Sequence, residues 1–178
     1  MELGEETLTK AVRGDQAAFA AIVRHHKSMV YSIAYHFLHE SWQAEELAQD
    51  VFLQLFQNLK KIVSSAHLTF WLRRVTSHRC IDWNRRQSLR PRVSLEELPE
   101  PAAPEERSDP LLARRLRQLV SNLPEKSRLI IALRYQEGLQ LAEIAEILGI
   151  PLNTVKSHLQ RSLAKLEEQL TSTEKLPV

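Results

Sequence analysis

The sequence predicts an all-α protein: two small helical domains joined by a flexible acidic linker. Three observations carry that expectation. The 178 residues include only 4 glycines, and long stretches are rich in Leu, Ala, Glu, Gln, Lys and Arg, which favour helix. Apolar residues within those stretches recur at spacings of three and four. Between them, Pro91, Pro99, Pro101, Pro104 and Pro110 account for five of the chain's 8 prolines. Proline removes a backbone donor and biases the preceding residue away from helix. With six acidic side chains and little apolar content, residues 88–110 read as an extended tether. The domains expected on either side are 1–87 and 111–178.

The elements follow in order. Phe19, Ile22, Val23, Met29, Val30, Ile33, Ala34 and Phe37 form one helical stripe, with Asp15 as its N-cap. A second helix runs from about Ser41, with Leu47, Val51, Leu55 and Leu59 facing inward. Ile62–His67 has no strong helical pattern and is expected to be loop. A third helix runs from about Leu68 to Arg86, with Phe70, Trp71, Val75 and Ile81 as apolar contacts. Beyond the linker, helix resumes at about Leu111 and breaks at Leu123-Pro124-Glu125, with proline near a helix start. Leu129–Tyr135, a turn at Glu137-Gly138, a short helix Leu141–Leu148, a turn at Gly149 and a helix to about Leu170 complete the chain.

Charge divides the chain differently from its total. The net charge is +2, yet residues 1–59 carry −4, 60–92 carry +8, 93–110 carry −5 and 111–178 carry +3. A basic block between acidic ones predicts a localised surface for a polyanion. Other features exclude whole classes. No apolar run approaches the ~20 residues of a membrane span, so no membrane insertion is expected. Met1–Lys10 lacks the basic start and apolar core of a secretory signal. The single Cys80 allows neither an internal disulfide nor a cysteine-based zinc site, which fits a reducing cytoplasm. His25-His26 and the His36/His39 pair form no HExxH pattern, and His36 and His39 are expected on a helix surface. No catalytic grouping, metal or cofactor is expected.

The most specific local pattern spans Leu141–Leu163. Ala145 lets two helices approach, Gly149 permits a tight turn, and Val155 packs the second helix back on the first. This is the helix-turn-helix arrangement, whose second helix enters the DNA major groove. At about 100° per residue from Lys156, the residues Val155, Leu159, Leu163, Leu166 and Leu170 fall between about −100° and −20°. Asn153, Lys156, Ser157, Gln160 and Arg161 fall between 0° and about 140°, a polar face suited to guanine edges, adenine edges and phosphates. In the basic block, Arg73, Arg74, Arg79, Arg85, Arg86, Arg90 and Arg92 alternate with Phe70, Trp71, His78 and Trp83. Arginine beside aromatics suits a single strand with exposed bases, although Phe70 and Trp71 also fit a core.

Taken together, these motifs resemble the extracytoplasmic-function class of bacterial sigma factors, within the sigma-70 family, from about Asp15 to Leu170. Gly14–Phe19 is similar to that family's opening motif. Gln43–Phe52 resembles its most recognisable helix, and Phe70-Trp71-Leu72 with Asp82 and Arg85-Arg86 follows its next helix. Leu123-Pro124 and the helix-turn-helix match its second domain. The resemblance implies a non-catalytic promoter-specificity subunit that directs transcription initiation. Glu46, Leu47, Gln49, Asp50 and Phe52 fall in the motif that docks on core RNA polymerase, whose beta and beta-prime subunits are the implied partners. The loop from Ile62, with Ser64, and the helix carrying Arg74, His78 and Arg79 would capture bases of the melted minus-ten element. Asn153, Lys156, Ser157, Gln160 and Arg161 would read the minus-thirty-five element of promoter DNA. An anti-sigma factor is a further implied partner. Two departures stand out. Ile62-Val63-Ser64 replaces a Phe-Arg-Gly-like loop start, and His78 stands where Asn is common. The resemblance therefore assigns no base preference there. The alternative, a stand-alone helix-turn-helix regulator, would require dimerisation on a palindromic site, which two dissimilar domains do not favour.

Overall fold

The computed structural model describes residues 4–88 and 110–174, and within them every regular element is helical. The expected all-α fold is therefore observed. Helix α1 is Glu5–Val12, α2 is Gln16–Leu38 and α3 is Ser41–Asn58, followed by a 3-10 turn at Leu59–Lys61. Helix α4 is Ser65–Ser88, α5 is Pro110–Ser121, α6 is Glu125–Tyr135, α7 is Leu141–Leu148 and α8 is Leu152–Glu174. The tether expected between the two helical groups lies outside the described residues.

Local chemistry sets the boundaries. The Asp15 carboxylate accepts from the backbone N–H groups of Ala17 and Ala18, at 2.8 and 3.0 Å, and so caps α2 as expected. Two elements depart from expectation. Helix α1 was not apparent from the sequence. It is a short amphipathic helix that buries Leu8 and Ala11 and is tied to α4 through the Glu5 carboxylate, which accepts from Ser65 N–H at 2.8 Å. Helix α4 starts at Ser65, three residues before Leu68, so much of the expected loop is helix. The cause is a cap: Ser64 Oγ accepts from His67 N–H at 3.1 Å and starts the helix at once.

Helices α1–α4 form the N-terminal bundle around Ile22, Ile33, Phe37, Leu47, Leu55, Leu68 and Leu72, all essentially inaccessible to solvent. Helices α5–α8 form the second unit, where α6, α7 and α8 enclose Leu129, Leu133, Ile144, Ile147 and Val155. The two units are packed together. Helices α2 and α4 meet α6 and α7, so the two cores merge into one apolar cluster.

Candidate promoter and polymerase surfaces

Helices α6 to α8 build the duplex-reading candidate. Helix α7 begins with a capping box in which the Gln140 N–H donates to Glu143 Oε2 at 2.7 Å. It ends at Gly149, whose φ of 65° is the left-handed conformation that glycine adopts without steric cost. The Ile150 N–H returns to the Ala145 carbonyl at 3.1 Å, closing the turn into α8. Arg134 donates to the Leu139 carbonyl at 2.9 Å and fixes the preceding loop. Helix α8 turns Val155, Ser162 and Leu166 inward. Ser127 of α6 and His158 of α8 share a hydrogen bond of 3.0 Å, so α8 is held by a polar tie as well as by packing. Burial holds the His158 imidazole below its usual pKa, with Arg161 and Lys126 adding to the effect. Asn153, Lys156, Ser157, Gln160 and Arg161 are all exposed on one continuous face. The Arg161 Nε–H donates to the Ser157 carbonyl at 3.1 Å, which lays its guanidinium along that face.

The minus-ten candidates are arranged less simply. Ile62 is buried in the bundle, so its side chain serves packing. Ser64 serves as the cap of α4. Arg79 Nε–H donates to Gln54 Oε1 at 3.1 Å and braces α4 against α3. Arg74 and His78 lie one turn apart on the exposed stripe of α4. Arg74 Nη1 donates to the Glu146 carbonyl of α7 at 3.0 Å. Phe70, Trp71 and Trp83 are half-buried against the core, and the Trp83 indole N–H donates to Gln43 Oε1 at 3.2 Å. The aromatics interleaved with the arginines thus mainly support α4 from within.

On α3, Glu46, Gln49 and Asp50 are exposed and Phe52 is half-buried, whereas Leu47 is buried at 1% exposure and belongs to the core. Sequence reasoning missed three exposed apolar neighbours on the same helix: Trp42 at 55%, Leu53 at 57% and Phe56 at 60%. Their spacing from residue 42 to 53 and 56 was the available signal, because it repeats close to the helical period away from the inward stripe. The Phe56 ring meets Phe19 edge-on, with centroids 5.2 Å apart. Beside it, Val23, Lys27, Tyr31, Ala48, Gln49 and Phe52 line a shallow groove between α2 and α3. An apolar stripe rimmed by carboxylates fits a partner helix with a basic, partly apolar face.

One histidine differs from expectation, and a second shares its buried environment. His39 is not a simple surface residue. It caps α2 in the left-handed region at φ 60°, and both of its ring nitrogens are buried without a hydrogen bond. Burial, with Arg128, His36 and Arg117 nearby, lowers its pKa to about 4. His26 is likewise lowered to about 4, by burial with His25 and Arg73 nearby. Cys80 is fully buried and its thiol is pushed up by desolvation, which leaves it inert. Among the described residues no group of His, Cys, Asp and Glu is arranged to hold a metal, and no helix is long and apolar enough to cross a membrane.

Comparison with known proteins agrees with this geometry. Residues 22–90 match the family Sigma-70 region 2, and residues 113–166 match Sigma-70, region 4. The chain is 31% identical to the ECF RNA polymerase sigma factor SigW of Bacillus subtilis, over 93% of this chain and 96% of that one. It is 34% identical to the ECF RNA polymerase sigma factor SigE of Mycolicibacterium smegmatis, over 88% of this chain and 64% of that one. The fold is similar to CnrH, solved in complex with the cytosolic domain of CnrY, with a TM-score of 0.70 and 22% identity over 96% of this chain and 98% of that one. It is also similar to the sigma factor RpoE of Bartonella quintana, solved with the anti-sigma factor NepR, with a TM-score of 0.71 and 19% identity over 86% of this chain and 96% of that one.

Proposed function

This chain belongs to the extracytoplasmic-function family of RNA polymerase sigma factors, and from that premise we propose that it binds core RNA polymerase through α3 and brings α4 and α8 to the two elements of a promoter. The carrying observation is the exposed face of α8, where Asn153, Lys156, Ser157, Gln160 and Arg161 stand together behind a closed helix-turn-helix. Lys156 and Arg161 supply donors for guanine edges or phosphates, and Gln160 for an adenine edge.

Polymerase docking falls to Trp42, Glu46, Gln49, Asp50, Leu53 and Phe56. The apolar residues supply burial and the carboxylates supply orientation. Leu47 supports this face from beneath. Arg74 and His78 are the exposed α4 groups available to melted minus-ten DNA, with Arg79 positioned behind them. Strand opening would draw on binding energy, because capture of unstacked bases offsets a few kcal/mol per disrupted step. The phosphodiester chemistry belongs to the polymerase. An anti-sigma partner is part of the proposal, on the footing that RpoE was solved with one.

The test is run-off transcription with purified core polymerase on a genomic promoter pool, with start sites sequenced. Start sites sharing two upstream elements are expected. Tight duplex binding by the chain alone, unchanged by core polymerase, would instead favour a stand-alone regulator.

A further inference from the structure

Helix α4 is capped from two sources. The first turn of any helix leaves backbone N–H groups without an acceptor inside the helix. Ser64 Oγ takes the His67 N–H at 3.1 Å, a local cap. The Ser65 N–H is taken at 2.8 Å by Oε1 of Glu5, 60 residues earlier in the chain, and the Ser65 hydroxyl donates to the same oxygen. The hydroxyl first, and the N–H second, hold the Glu5 carboxyl below the usual carboxylate range. The carboxylate also meets the positive end of the α4 dipole.

Glu5 is itself fixed in place. Helix α1 buries Leu8 and Ala11 and packs on α2 and on the 3-10 turn Leu59–Lys61. Between that turn and α4 stands an arch of three residues, Ile62–Ser64. One foot is Ile62, whose side chain is buried and whose N–H donates to the Leu59 carbonyl at 3.1 Å. The other foot is the Ser64–Ser65 junction that Glu5 holds. At the crown, Val63 is 82% exposed, more than any other large apolar side chain among the described residues. Its backbone N–H donates to His67 Nδ1 at 3.3 Å. The Glu5–Ser65 bonds are exposed to solvent, so water can replace them and their share in global stability is small. What they fix is position: where the arch ends and α4 begins.

We propose that Glu5 is a positioning residue for capture of the melted minus-ten strand, with α1 as the strut that holds the Ile62–Ser64 arch through Ser65. The proposal rests on the promoter-reading function above and adds to it a residue that lies before the 22–90 match to Sigma-70 region 2. Glu5 acts through Ser65 and need not touch DNA. An arch already held in place binds the strand without an ordering cost, whereas a loosened arch must be ordered as the strand arrives. Loss of Glu5 therefore weakens minus-ten capture and leaves the minus-thirty-five face of α8 unchanged.

The experiment compares the full parent chain with Glu5→Ala, Glu5→Gln and Ser65→Ala, each bound to core polymerase. The probe is a fluorescent single strand carrying the minus-ten sequence found by start-site sequencing. Its affinity should fall roughly three- to tenfold in Glu5→Ala, the range for loss of one helix cap. The loss should be smaller in Ser65→Ala, which keeps the N–H, and affinity should return close to the parent value in Glu5→Gln, which keeps an acceptor oxygen. In the free chain, hydrogen exchange at the Ser65 amide should be faster in Glu5→Ala and near the parent rate in Glu5→Gln. Retention on core polymerase and minus-thirty-five discrimination should match the parent throughout. Parent-level capture by Glu5→Ala overturns the proposal. So does Glu5→Gln failing as badly as Glu5→Ala, or a parallel loss of core retention, which would mark general unfolding. If Glu5→Ala loses helicity, Ser65→Ala decides, and parent-level capture there is equally fatal. Failure of the promoter function is read separately, on the parent alone: it would direct no specific start sites with core polymerase.

Discussion

The two proposed nucleic-acid surfaces are built from similar residues but held in different ways. On α8 all five candidate readers are exposed and share one face. Of the five in and before α4, Ile62 is in the core, Ser64 caps a helix, Arg79 braces Gln54 and Arg74 is held by α7. His78 is exposed and among these five is the one that makes no side-chain hydrogen bond or buried contact. The difference teaches that a reading surface on one amphipathic helix is set by local periodicity. A surface that spans a loop and a helix is set by tertiary contacts.

The largest expected effect tests whether the units are separate at all. Phe37 is fully buried in α2 and carries the Arg128 guanidinium of α6 on its ring. Phe37→Ala should cost about 3–5 kcal/mol. It should also loosen α6, as seen by hydrogen exchange. Loss confined to α1–α4, with exchange in α6 unchanged, would show that the seam between the two units carries no coupling.

Next comes the proposed reading face of α8. Arg161→Ala should reduce discrimination between matched and mismatched minus-thirty-five elements by about 1–3 kcal/mol if the guanidinium reaches a base. Global stability should hardly change, because Arg161 is exposed. The ratio of initiation from the two promoters measures this, and an unchanged ratio removes Arg161 from the reading set. Gly149→Ala follows at about 1–2 kcal/mol of stability, the cost of a left-handed alanine. A Cβ at Gly149 would meet only the Arg74 guanidinium end at 3.9 Å, so strain and not collision is the cause. Its effect should appear in thermal unfolding and in minus-thirty-five binding, while core-polymerase retention stays the same.

Much of the fold was legible in residue order. The stripe from Phe19 to Phe37, the Asp15 cap, the Leu123-Pro124 break and the Gly149 turn all fall where their chemistry requires. Helix α1 escaped because eight residues give too few turns for a clear period, and its stability comes from Leu8, Ala11 and the Glu5–Ser65 tie. The start of α4 escaped because a serine cap followed by polar residues looks like loop. Among site residues, the α8 set was legible because helix geometry alone sorts inward from outward. Leu47 and Ile62 were not: family motifs mix residues that touch a partner with residues that hold the motif in shape. The seam was not legible at all, since Arg128 on Phe37 joins residues 91 positions apart with no pattern linking them.

The smallest expected effect concerns acidity at that seam. His39 sits at the end of α2 with Arg128 of α6, Arg117 of α5 and His36 of its own helix nearby, and its pKa is lowered to about 4. The ordinary value for an unfolded histidine is about 6.5. Between these values the unfolded chain binds more protons than the folded one, so stability rises with pH. The contribution is therefore complete above about pH 6.5 and is lost as pH falls toward 4, on the order of 1 kcal/mol by pH 5.5. Protonation would place a third positive charge beside the two arginines. His39→Asn tolerates the left-handed backbone and does not titrate. Denaturation midpoints at pH 7 and 5.5 should therefore differ less in that variant than in the parent chain. Some slope should remain, because His26 beside His25 and Arg73 is lowered by the same burial. An identical pH slope in both chains would mean that His39 is free to protonate in the folded state, and that the seam around it is already open.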